Sequence, residues 1–178
     1  MDWSPEAKKA FTVQQYGAAP DIDGVQLIEL KRFNDDGGAF TELARLTEGR
    51  LDAAAGFTVR QINFSEVEPG VIKAFHVHAR QTDVWYVPPS DRLLIGLVDV
   101  RRGSRTEGVV RRIMLGAGTS RLLRIPPGVA HGARNLGTAT GRIIYFVDLH
   151  FSPEPANCDE GRLPWDYAGA EIWEPVRG

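Results

Sequence analysis

The sequence predicts an all-β domain built as a sandwich or barrel, and three observations carry that reading. Short runs rich in Val, Ile, Leu, Phe and Tyr recur along the chain, Gly, Pro, Asp and Asn break them at similar spacing, and only one short segment has the marks of a helix. The 178 residues, 43% hydrophobic and 25% charged, suffice for one domain with its own core. The barrel is expected over residues 24–151, with an extension over 152–178.

A net charge of −2 does not supply the basic surface that a dedicated nucleic-acid binder needs. Cys158 is the only cysteine, so no intrachain disulfide forms, and a catalytic thiol is not expected. The opening MDWSPEAKKAF lacks the apolar core of a secretion signal, and no later run approaches membrane-spanning length. These features predict a cytoplasmic protein without nucleic-acid or membrane partners.

In chain order, Ser4-Pro5-Glu6 reads as a helix start, a capping serine ahead of a proline at the first helical position. Strands are expected over residues 25–33, 40–45 and 57–64, with a turn at Asn34-Asp35-Asp36-Gly37-Gly38. Further strands are expected over 71–78, 84–87, 92–100, 109–115, 121–125 and 141–151. Pro88-Pro89-Ser90-Asp91 forces a turn, because neither proline can donate a ladder hydrogen bond. The last segment holds Pro153, Pro155, Pro164 and Pro175 as well as Trp165 and Trp173, and is expected to pack irregularly over the barrel.

Two constellations carry chemistry. The first is Gly70, then His76-Val77-His78, then Asp83. Residues two apart on a strand share a face, so both imidazoles can enter one cavity, and Asp83 at the start of the next strand can reach it. The second is Pro126-Pro127-Gly128-Val129-Ala130-His131, with Asn135 beyond it. Trp85 and Tyr86 are candidates to stack on a nucleobase, although alternation sends only one of them inward. The pairs Arg101-Arg102 and Arg111-Arg112 are read as solvated surface, and His150 as a rim residue.

The two constellations, in this order and separated by strands, resemble the paired motifs of cupins, which implies a jelly-roll β-barrel. In many cupins the matching side chains hold a divalent metal. The likeness therefore offers His76, His78, Asp83 and His131 as a ligand set suited to Fe, Mn, Ni, Co or Zn.

A longer and more specific resemblance is to the dTDP-4-dehydrorhamnose 3,5-epimerase family. It rests on the acidic-glycine hairpin around Asp35-Asp36-Gly37, on Gln61-Ile62-Asn63-Phe64-Ser65 leading to His76, and on Asp99-Val100-Arg101. It continues through Pro126 to Gly132 and closes on Ser152-Pro153-Glu154, Trp165-Asp166 and Trp173-Glu174-Pro175. The resemblance implies an isomerase of dTDP-rhamnose biosynthesis that works on a nucleotide-linked 4-keto-6-deoxy sugar without a redox cofactor, and a homodimer. It implies His76 as the proton-abstracting base, His131 as a second active-site histidine and Tyr145 as the acid. It also implies Gln61, Asn63 and Lys73 as substrate contacts, to which Trp85 is added as the inward aromatic.

The chain departs from the family pattern at four places. Lys73 stands where the family has arginine, Gly37 replaces a hairpin arginine, Asp83 falls near an active-site lysine, and Glu174-Pro175-Val176-Arg177-Gly178 lacks the carboxylate motif that orients the family's base. Loss of a cation at Asp83 and gain of His78 keep two alternatives open: a metal-dependent cupin enzyme, dioxygenase or isomerase, and a catalytically silent sugar-binding cupin.

Overall fold

The computed structural model describes residues 2–13 and 20–176. The helix α1, Pro5–Ala10, forms where the capping pattern puts it, with the Ala7 amide donating to Ser4 Oγ at 3.2 Å. It buries no residue, so it contributes nothing to the core.

Everything that positions a site is strand. In chain order these are β1 (Gln26–Glu29), β2 (Arg32–Asp35), β3 (Gly38–Thr41), β4 (Leu46–Thr47), β5 (Arg50–Leu51), β6 (Gln61–Val67) and β7 (Ile72–His78). They continue as β8 (Asp83–Tyr86), β9 (Arg92–Asp99), β10 (Val110–Gly116), β11 (Arg121–Ile125), β12 (Val129–Asn135), β13 (Gly141–Val147) and β14 (Glu160–Arg162). Two antiparallel five-stranded sheets result, ordered β1-β11-β8-β13-β6 and β10-β9-β12-β7-β14. The ribbon β2-β3 stands apart from both.

Alternation along the strands produces three apolar layers. Leu93, Ile95, Leu97, Ile113, Leu115, Leu123 and Ile125 point between the sheets and form the inner core. Their neighbours one residue on point outward. Val84, Tyr86, Leu122 and Phe146 meet Leu51, Ala54 and Phe57, so the segment between β3 and β6 covers the outer face of the first sheet. Phe75, Val98 and Ala130 meet Ile172 and Trp173 of a closing 3-10 turn, Ala170–Trp173, which covers the second. That turn fits because Gly96 has no side chain: a Cβ there would lie 2.7 Å from the Trp173 ring.

Several expected strands are shorter than the sequence suggested. The run 25–33 breaks between β1 and β2, the run 40–45 stops at Thr41 so that Leu43 and Ala44 can cover the first sheet, and Phe57 belongs to that cover rather than to β6. The run 141–151 ends at Val147. Four strands were not expected. The two-residue strands β4 and β5 pair with each other between the expected runs 40–45 and 57–64. β12 follows the P-x-G turn and lies in the middle of the second sheet, and β14 emerges from the proline-rich tail to pair with β7.

One irregularity matters for the site. Along β7, His76 pairs with His131, but Lys73 pairs with Ala133, so three steps on β7 match two on β12. This bulge puts Ala74 and Phe75 together on the outside and lets Lys73, His76 and His78 all face inward despite the odd spacing of the first two. Gly132 makes room for it, since a Cβ at that position would sit 2.7 Å from the Lys73 carbonyl oxygen.

Candidate active site

Between the sheets, beside the aliphatic core, opens a cavity of about 570 Å³. Gln61, Asn63, Lys73, His76, His78, Asp83, Trp85, His131 and Tyr145 all line it, so the structure brings together the candidate catalytic, substrate-binding and metal-ligating side chains. Gly37 sits at the turn of the β2-β3 ribbon and does not line the cavity.

His76 is held by a residue that the sequence did not reveal. Its Nδ1 lies 2.8 Å from Glu160 Oε1 on β14, and Arg162 Nη2 donates to the same oxygen at 3.0 Å. A carboxylate only accepts, so Nδ1 carries the proton and Nε2 keeps the lone pair that a base needs. Burial lowers the His76 pKa from its ordinary 6.5, and His131 and Arg162 lower it further, against the opposing charge and hydrogen bond of Glu160. The imidazole is therefore neutral, and basic, at neutral pH.

Asp83 lies at the cavity floor and is almost fully buried. Its Oδ1 accepts from Gln81 Nε2 at 2.8 Å and its Oδ2 from the Trp85 indole at 2.9 Å. Burial opposes its ionisation, but His131, His78 and the indole outweigh that and hold its pKa below the usual carboxylate value. His131 Nε2 stands 3.6 Å from Oδ2, with Nδ1 2.9 Å from the Val129 carbonyl oxygen. His78 Nε2 stands 3.8 Å from Oδ1, with Nδ1 3.2 Å from the Asp159 carbonyl oxygen.

The four side chains offered as metal ligands do not all converge. Ligand atoms of His78, Asp83 and His131 lie within 4.8 Å of one another, but His76 does not join them. The cause is β14, which brings Glu160 alongside β7 and turns His76 Nδ1 toward it. Both oxygens of Asp83 are moreover already engaged by Gln81 and Trp85.

On the opposite sheet, Tyr145 of β13 is pushed up from its ordinary pKa of 10.0 by burial and by the charges of Asp83 and Glu160. Its phenol stays protonated, so as an acid it must meet a strongly basic acceptor. Trp85 fills the space beside Tyr145 and His131, with ring centroids 6.3 and 5.2 Å away, while Tyr86 packs outward. At 7% exposure Trp85 offers no open face for a nucleobase.

The remaining residues divide between rim and frame. Gln61 spends its amide on Asn63 Oδ1 at 2.7 Å and on the Phe151 N–H at 3.0 Å, which leaves the Asn63 Nδ2 hydrogens to be offered to the cavity. Lys73 Nζ donates to the Glu66 carbonyl oxygen at 2.6 Å. His150 lines the cavity, with Nε2 3.2 Å from the Arg60 carbonyl oxygen. Arg101 is locked onto Asp99 and Arg111 pairs with Asp21, both away from the cavity. Glu174 binds Arg134 on the outer face and does not approach His76, and Arg177 and Gly178 lie outside the described residues.

Comparison with known proteins places the chain in a family. The family model described as dTDP-4-dehydrorhamnose 3,5-epimerase matches residues 19–172. The chain belongs to that family. Among its relatives, the spore coat polysaccharide biosynthesis protein SpsL of Bacillus subtilis is 41% identical over 145 residues, covering 82% of this chain and 91% of that one. A crystal structure of a dTDP sugar isomerase from Desulfovibrio desulfuricans superposes with a TM-score of 0.72 at 30% identity, covering 82% of this chain and 87% of the other. The dTDP-6-deoxy-D-glucose-3,5-epimerase of Legionella pneumophila, solved in complex with dTDP-4-keto-L-rhamnose, superposes with a TM-score of 0.67 at 28% identity, covering 82% and 75%.

Family membership fixes the fold as an epimerase-type jelly roll and the class as an isomerase, as the sequence had implied. It does not favour the metal-dependent cupin alternative, since epimerases of this family need no metal cofactor. Among the described residues no helix is long and apolar enough to cross a membrane.

Proposed function

We propose that this protein epimerises a nucleotide-linked 4-keto-6-deoxy sugar, with His76 as base and Tyr145 as acid. The observation that carries the reading is their placement: His76 stands on β7 and Tyr145 on β13, in opposite sheets, with the cavity between them. A flat enolate lying in that space presents one face to each wall.

The steps balance without an electron carrier. His76 Nε2 takes the proton from the carbon beside the C4 ketone, and the C–H electron pair moves into the carbonyl to give an enolate. The Tyr145 O–H then delivers a proton to the same carbon from the other side, and solvent restores both groups. The enolate is basic enough to accept from a phenol whose pKa is raised. Asn63 Nδ2 supplies a hydrogen bond to the developing oxyanion, and the His131–Asp83 pair and Trp85 floor the cavity beneath the sugar. Lys73, at the rim, meets the diphosphate as a point charge rather than a fork. Glu160 takes over the orienting role for which the C-terminus lacks the family motif.

The chain works as a homodimer in the cytoplasm. β6 is an open edge of the first sheet, and Ile62 and Phe64 leave an apolar strip exposed along it, which a second copy covers. Sedimentation showing only monomer at micromolar concentration would contradict the pairing. The enzymatic reading is tested by incubating the protein with dTDP-4-keto-6-deoxyglucose in deuterated water. Deuterium should enter the carbons beside the ketone, and no incorporation with any 4-keto nucleotide sugar would overturn the reading.

A further inference from the structure

Among the described residues, Glu160 is the carboxylate on the base, yet it sits on a strand of only three residues. β14 pairs with β7 at Glu160–His78, Gly161–Val77 and Arg162–His76. With a side-chain period of two, a slip of one residue would turn Glu160 and Arg162 outward and point Gly161 at the base. So short a ladder specifies its register weakly. The backbone bonds between Leu163 and Phe75 close its far end, but such bonds recur at any register.

The near end is different. The Asp159 carboxylate accepts the Gln81 N–H at 2.8 Å and the Arg80 N–H at 3.0 Å with Oδ2, and Arg80 Nε at 3.1 Å with Oδ1. All three donors belong to the turn that leaves β7. The Asp159 carbonyl oxygen meanwhile lies 3.2 Å from His78 Nδ1. One residue therefore grips the end of β7 from four directions, and the next residue in the chain holds His76. The bonds from Gln81 and Arg80 outweigh the burial of the Asp159 carboxyl and hold its pKa below the ordinary value, consistent with a carboxylate engaged by that turn.

We propose that Asp159 is a positioning residue that sets the register of β14, and through it the hydrogen bond that Glu160 accepts from His76 Nδ1 and that fixes the tautomer of the catalytic base. This deepens the epimerase reading and rests on it for its effect on rate, but not for its effect on His76. Only the Asp159 carboxylate, in one register, satisfies the turn at the end of β7. Without it, Glu160 samples positions away from His76 Nδ1, and the proton on the ring moves between its two nitrogens.

The test is nitrogen-15 NMR of the His76 ring in ligand-free protein, alongside kcat and KM in the solvent-exchange assay. Wild type should show the Nδ1–H tautomer, and Asp159→Ala a mixture with Nε2–H. Because Asp159 acts only through Glu160, kcat should fall by no more than the roughly tenfold expected of Glu160→Gln, part of the cost of misplacing a catalytic group, while KM stays within about threefold. Asp159→Ala combined with Glu160→Gln should be no slower than Glu160→Gln alone, because both act through one hydrogen bond. If Asp159→Ala does not fold, Asp159→Asn, which keeps the shape but loses the charge-assisted grip on Arg80, serves the same comparison. An unchanged Nδ1–H signature in the variant, or losses that multiply in the double variant, would overturn the proposal. A wild type without exchange activity would remove the epimerase reading, while the ring tautomer would still decide the role of Asp159.

Discussion

The space between the two sheets is filled at one side and open at the other, and the two regions are built on opposite terms. β9, β10 and β11 fill their part with Leu93, Ile95, Leu97, Ile113, Leu115, Leu123 and Ile125, all buried and apolar. β6, β7, β8 and β13 line theirs with Asn63, His76, Asp83 and Tyr145. Aliphatic packing needs no partner, whereas each buried polar group in the cavity needs one, and Gln81, Trp85 and Glu160 supply them. Stability and chemistry are thus divided between strands of one structure, and substitutions should separate them.

The sharpest break in that division is His76→Ala. It should cut solvent exchange about 10²–10⁴-fold, the usual contribution of a general base, while moving the melting temperature by no more than about 4 °C. Its mirror image is Leu115→Ala on β10, which removes a side chain only 1% exposed. That change should cost about 2–5 kcal/mol in a denaturant titration and leave kcat nearly unaltered well below the transition. If the two substitutions produced the same pattern, the two regions would not be separable.

The sequence displayed the filled region better than the open one. Alternating aliphatics and Gly/Pro turns gave the strands of the core, and the two-residue spacing of His76 and His78 announced a shared face. β12 was illegible because Gly132 and the polar Arg134 and Asn135 dilute its pattern. It is a strand because Gly132 lets the β7 bulge pack close against it. Glu160 was missed for a related reason. It lies in a tail whose prolines argue against regular structure, and three residues are too few to show a period. The only local signal was Glu160 and Arg162 flanking Gly161, which becomes meaningful once β7 is known to have an open edge. Lys73 shows the converse case, because its three-residue spacing from His76 argues for opposite faces until the bulge is seen.

Glu160→Gln sharpens the comparison with a smaller effect. Glu160 raises the His76 pKa, while burial, His131 and Arg162 lower it. Removing its charge therefore favours the neutral ring further, and the acid limb of the kcat/KM profile, already below 6.5, should move to lower pH. The rate on the plateau should drop by about tenfold, part of the 10²–10⁴ that a positioned base contributes. A limb that moved to higher pH would show that Glu160 is not the group on His76.

Proton removal and proton return on opposite walls of one cavity are tested most directly by Tyr145→Phe. The variant should be incubated with a 4-keto nucleotide sugar in deuterated water, and deuterium entry and inversion of configuration followed at the same carbon. With His76 intact and the opposite donor gone, deuterium should still enter from the His76 side with configuration retained, while inversion falls steeply. Inversion that continued at close to the wild-type rate would contradict the assignment of Tyr145 as the acid facing His76.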